Sequence, residues 1–171
     1  MQILFISFLL LTLAAVGVAQ TKSVYTSTSE KACKQQKGGA DEGGDYTGIC
    51  PGVAGYKIEL IEGDLRQTLN VITPAKKKLR LRFNEYYYSF SAVGEKIEWR
   101  LRKGVPYALI VRYNVADPED SQKNTSYLMV AKISRSLACV TEIVPPGPKQ
   151  NETARRLSDA APTTACKVGG E

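Results

Sequence analysis

The chain has 171 residues, with 23 lysines and arginines against 17 aspartates and glutamates, a formal net charge of +6 and no histidine. A missing imidazole excludes Ser-His-Asp and Cys-His nucleophilic sites, histidine-based zinc sites and imidazole acid–base chemistry. G-x-S-x-G, phosphate-loop and H-E-x-x-H patterns are absent too, so no catalytic residue, metal ligand or cofactor is assigned.

Ile3 to Val18 is almost all apolar and carries no charge, and Gly17-Val18-Ala19 places small residues where a signal peptidase reads. A run of about 16 residues is short for a spanning helix. The expectation is a signal peptide over 1–19 and a single disulfide-stapled β domain over 20–171, exported to the periplasm or the extracellular space. No later stretch is long enough to span a membrane. Four cysteines, Cys33, Cys50, Cys139 and Cys166, all fall after the leader. An even number in an oxidising compartment implies two disulfides, with three connectivities open. Cys33–Cys50 with Cys139–Cys166 is preferred, because each pair staples a terminal segment to a strand.

Ser27-Thr28-Ser29-Glu30 fits a capping box opening a short helix through Lys34. A glycine-rich acidic loop follows from Gly38 to Asp45, then a short strand from Tyr46 to Cys50. Tyr56–Glu62 and Leu65–Ile72 alternate as a hairpin around Gly63-Asp64, with Ile58 facing Leu69 and Tyr56 facing Val71. Lys78 to Phe83 alternates again, with Leu79, Leu81 and Phe83 inward. Asn84 to Lys96 is irregular.

Ile97 to Tyr113 reads as two strands around a glycine turn and holds the only tryptophan. A one-residue slip flips every side chain, so the apolar pattern selects the register. It selects a three-residue loop, Arg102-Lys103-Gly104, which pairs Trp99 with Tyr107 and Ile97 with Leu109. The second strand is apolar on both faces, so it is expected to be central and covered on both sides. Tyr127–Ile133, likewise apolar on both faces, is its expected neighbour, followed by a strand over Leu137–Val144. Pro148 suits a first helical position, with a helix to Ala160. Strands at turn spacings of roughly 8 to 12 residues predict an all-β antiparallel sandwich or barrel, of about 7–8 strands, with short N- and C-terminal helices.

The sharpest polar feature is the run Lys76, Lys77, Lys78, Arg80 and Arg82, whose charges alternate with leucines on one strand face. If that strand lies beside Ile97–Leu101, Arg100 joins the patch. Such a surface attracts anionic polymers or membranes, although solvating a sheet edge is the ordinary role of such charges. Tyr86, Tyr87, Tyr88 and Phe90 are candidate contact aromatics. Asp41 to Asp45 offers oxygens to calcium, but not in an EF-hand pattern. Glu59 with Glu62, and Glu95 with Glu98, are the carboxylate pairs a glycan hydrolase would need. Asn124-Thr125-Ser126 and Asn151-Glu152-Thr153 are glycosylation sequons.

The strings C-P-G-V-A-G-Y (50–56), E-G-D-L-R-Q (62–67), E-W-R-L-R (98–102), Y-A-L-I-V-R-Y-N (107–114) and P-P-G-P-K-Q-N-E-T-A-R-R (145–156) together resemble a group of small exported bacterial proteins of no assigned function. The resemblance implies a bacterial envelope setting and no activity. The expected role is a non-catalytic binding or structural module of the cell envelope. Its partner is an envelope protein or an anionic polymer, without specific nucleic-acid contacts. The alternative is a carboxylate-dependent hydrolase acting on an envelope glycan.

Overall fold

The computed structural model describes residues 20–36, 45–120 and 122–168. The leader and nearly all of the glycine-rich acidic loop lie outside the described residues. Among those described, the strands are β1 (Thr21–Ser27), β2 (Lys34–Gln35), β3 (Tyr46–Cys50), β4 (Lys57–Gly63), β5 (Arg66–Ile72), β6 (Lys78–Arg80), β7 (Ser91–Arg102), β8 (Val105–Ala116), β9 (Asn124–Ile133) and β10 (Ala138–Val144), followed by helix α1 (Gln150–Ala160). The all-β expectation therefore holds.

All ten strands belong to one open sheet, ordered β10-β9-β8-β7-β5-β4-β3-β2, with β1 added to β7 and β6 added to β5. Only one parallel bridge, Arg66 to Ser91, joins β5 to β7. At that joint the sheet folds back on itself, so both halves share one core. Ile58, Leu69, Val71 and Phe83 from one half meet Ile97, Trp99, Leu109, Val111 and Tyr113 from the other, all fully buried. Aromatic contacts cross the interface, with Tyr56 to Trp99 centroids at 6.3 Å and Phe83 to Tyr113 at 5.5 Å. The apolar alternation of each strand is thus one buried face of a folded sheet.

Helix α1 covers the opposite face of β8, β9 and β10. Ala108, Ile110, Leu128, Val130 and Val144 pack there against Ala154, Leu157 and Ala161. This second, smaller core explains why β8 and β9 are apolar on both faces, as expected for covered central strands. Lys149 takes a left-handed conformation (φ 60°), so α1 begins after it and Pro148 does not occupy its first turn.

Three local expectations are corrected. No helix follows Ser27. Instead, Thr28–Cys33 forms a turn in which the Ser29 N–H donates to Ser27 Oγ (3.0 Å) and the Thr28 N–H is taken by the Glu95 carbonyl. The local cap loses to pairing with β7.

The β7–β8 hairpin closes on a two-residue loop, Lys103-Gly104, with both residues left-handed (φ 48° and 77°). Such a turn matches strand twist better than the longer loop. The register then shifts, with Leu101 opposite Pro106 but Arg100 opposite Ala108. Tyr107 is the bulged residue, and Trp99 faces Leu109 rather than Tyr107. Leu109, Val111 and Tyr113 reach the core as the pattern demanded, while the bulge moves Tyr107 to the helix side.

The β4–β5 loop is Asp64-Leu65 rather than Gly63-Asp64, so Ile58 pairs with Val71 and Leu60 with Leu69. A two-residue change of register keeps every side chain on its face, so apolar alternation does not distinguish the two pairings.

Candidate functional site: a basic cleft between β6 and β10

Leu79, Leu81 and Phe83 are buried, which leaves the basic run on an edge strand that, among the described residues, pairs only with β5. Across from it stands the start of β10. No ladder joins the two edges, and between them lies a cleft of about 470 Å³. Lys77 to Arg82, Glu85 and Tyr86 line one wall, and Ser136 to Val140 line the other. The C-terminal segment completes the site. Cys139 and Cys166 are disulfide-bonded, the Lys167 N–H donates to the Val140 carbonyl (2.8 Å), and Tyr86 OH donates to the Lys167 carbonyl (3.0 Å). Burial, then the charge of Glu85, raises the Tyr86 pKa, so the phenol keeps its donating proton.

The cations are not equivalent. Lys78 Nζ lies 2.7 Å from Glu59, whose carboxylate is buried and also accepts from Asn70 Nδ2 (2.7 Å). Arg82 pairs with Glu85 at 3.3 Å, and Lys167 with Glu142 at 3.5 Å. Lys77 and Arg80 on the cleft wall, and Lys76 in the turn before it, are exposed and make no ion pair among the described residues. Exposed Leu137 and Val168 add apolar surface. The arrangement combines concave shape, unneutralised positive charge and a partly apolar wall.

Arg100 does not join this patch, because β6 lies beside β5 and not beside β7. Arg100 is buried beneath α1, where it donates to Asp159 Oδ1 (2.8 Å) and to Ser23 Oγ (2.6 Å). The other cysteines, Cys33 and Cys50, are bonded to each other, so both preferred disulfides are present. The tyrosine run divides. Tyr87 stacks on Tyr127 at 4.7 Å and lies 6.2 Å from Tyr113; burial, then Tyr127, raises its pKa. Tyr88 and Phe90 stay exposed, Phe90 beside Leu65 at the far end of β5.

The expected carboxylate pairs are differently placed. Glu59 and Glu62 project from opposite faces of β4, and Glu62 accepts from the Gln67 amide. Glu95 and Glu98 share a groove of about 390 Å³ under α1. Burial alone would raise the Glu98 pKa. Hydrogen bonds from Arg155 and Ser23, with the charges of Arg155 and Arg100, hold it below its ordinary value. A carboxylate so fastened stays ionised and suits structural anchoring better than proton donation.

Sequence reasoning missed the second wall, residues 136–140 with Lys167 and Val168. The preferred Cys139–Cys166 pairing was the one signal that put the C-terminal segment beside β10. Among the described residues there is no group of three or more side chains able to hold a metal ion, and no helix is long and apolar enough to cross a membrane. No protein-family profile, curated protein or solved structure matches the chain.

Proposed function

We propose that the protein is an exported, non-catalytic binding module whose β6–β10 cleft takes an anionic partner of the bacterial envelope. The observation that carries this reading is that two unpaired cations, Lys77 and Arg80, stand on the wall of a concave surface, with unpaired Lys76 in the turn beside them. Charges that merely solvate an edge gain nothing from standing at a cleft. Low-dielectric walls focus their field and raise the local concentration of an oppositely charged partner. Two disulfides fit an oxidising, exported setting.

Fluorescein-labelled polyglutamate, titrated at low and physiological salt, tests the reading. Each cation near an anionic surface contributes about 1 kcal/mol. Replacing Lys76, Lys77 and Arg80 together by Gln is therefore expected to weaken binding by about one to two orders of magnitude, with thermal stability unchanged. Undiminished binding by the triple variant at low salt removes the cleft from consideration.

A further inference from the structure

The opposite end of β5 carries a surface of complementary character. The β4–β5 turn residues Asp64 and Leu65 are both left-handed (φ 52° and 56°), and Leu65 is 62 % exposed at the tip. A two-residue turn of this kind favours Asn-Gly; a leucine there is neither the conformational choice nor a buried one. Its carbonyl accepts from the Ser91 N–H (3.1 Å), which sets the half-exposed Phe90 beside it. Leu65 and Phe90 share one surface with Ala92 and Ala116.

The rim of this apolar tip is acidic. Glu62 and Asp64 flank it, and the β8–β9 loop leaving Ala116 carries Asp117, Glu119 and Asp120, against the bases Arg66 and Lys123. Asp64 is paired with Arg66 and Asp120 with Lys123; Asp117 and Glu119 have no basic partner among the described residues. The molecule thus presents an exposed apolar turn with acidic residues beside it. It also presents a concave cleft with unpaired cations and exposed Leu137 and Val168.

We infer that the occupant of the cleft is a second copy of this chain, whose Asp64-Leu65 tip enters between β6 and β10. The inference rests on the reading of the cleft as an anion-binding site and names its partner. The seven residues of β5 separate the tip from the turn that holds Lys76 and Lys77, about 20 Å at strand rise. A molecule therefore cannot seat its own tip in its own cleft. Two different surfaces meet, so the contact is heterologous and propagates head to tail, into a ring where the rotation closes and an open chain where it does not.

Sedimentation velocity over a concentration series tests this. The wild-type protein is expected to gain weight-average mass with concentration and to lose it as salt rises. The double change Asp64→Asn with Leu65→Gly keeps the favoured turn chemistry while removing charge and knob, and is expected to weaken association at least tenfold. Lys77→Glu with Arg80→Glu does the same from the cleft side. Mixing the two variants restores one contact only, so a species of dimer mass is expected and nothing larger. Wild-type protein that stays monomeric at millimolar concentration overturns the inference. So does a tip variant that associates like wild type, or a mixture without dimer. If polyglutamate binding is retained while self-association is absent, the cleft reading stands and the second copy is rejected. Loss of both rejects both.

Discussion

Arg155 Nε lies 2.8 Å from Glu98 Oε1, and this ion pair fastens α1 to the outer face of β7. Ser23 Oγ donates to the same carboxylate oxygen (2.6 Å), so β1, β7 and α1 meet at one acid. Asp159, one turn further along α1, accepts from Arg100 and from Tyr107 OH (2.7 Å). The helix is therefore held by charge on one side and by Ala154, Leu157 and Ala161 on the other.

The first prediction concerns acid stability. Burial alone would raise the Asp159 pKa, but hydrogen bonds from Arg100 and Tyr107 bring it below its ordinary value, as happens at Glu98. A depressed carboxyl stabilises the fold at any pH above its unfolded value, near 4. That stabilisation disappears as pH falls through the folded value. Melting temperature is expected to hold from neutrality to about pH 5 and then fall. Glu98→Gln is expected to cost about 1–3 kcal/mol at pH 7 and to flatten the acid limb. A variant with an unchanged acid limb would show that α1 is not held through this group.

A second prediction follows from Trp99, which is fully buried and donates from Nε1 to Thr26 Oγ1 (2.8 Å). Thr26→Val keeps the shape of the side chain and orphans the indole N–H. The expected loss is about 1–3 kcal/mol, read by urea denaturation followed by far-ultraviolet circular dichroism. Indole emission should stay blue-shifted in the folded variant, since the ring remains in the core.

The turn at Asp64-Leu65 yields a third. A non-glycine residue in the left-handed region costs about 1–2 kcal/mol, partly offset for glycine by its larger unfolded-state entropy. Leu65→Gly is expected to stabilise the protein by about 0.5–1 kcal/mol in urea titration. Destabilisation would place Leu65 in a different backbone conformation.

The Cys139–Cys166 bond carries a fourth, because it holds Lys167 at the cleft. Its sequence separation of 27 corresponds to about 3 kcal/mol through the unfolded chain. Replacing both cysteines by Ala is expected to lower stability by about that amount. Polyglutamate affinity should also fall, because the wall made by residues 167 and 168 is released. Full affinity in a folded variant would show that this wall is dispensable.

Much of the core was legible. Ile58, Leu69, Val71, Leu79, Leu81, Ile97, Trp99 and Leu109 are inside because strand alternation is a local property with period two. Tyr107 was misplaced because a bulge adds a residue without a strong mark in composition. The β4–β5 pairing was displaced by two residues for the opposite reason, since both registers satisfy the same alternation. Arg100 was assigned to a basic patch on an assumed strand neighbour, and the true neighbour of β7 at that point is β1.

From the amino-acid order alone came the strand-rich class, the inward and outward faces, the preferred disulfide pairs and the absence of imidazole chemistry. Each depends on residue identity or short spacing, which the covalent chain carries directly. Tertiary structure decided which edges lie side by side. It placed β6 opposite β10, turned a flat basic stripe into a cleft and buried Arg100 under α1. Such pairings join residues far apart in the chain, and loop closure, twist and the fold at Arg66–Ser91 select them. Local composition has no term for any of these.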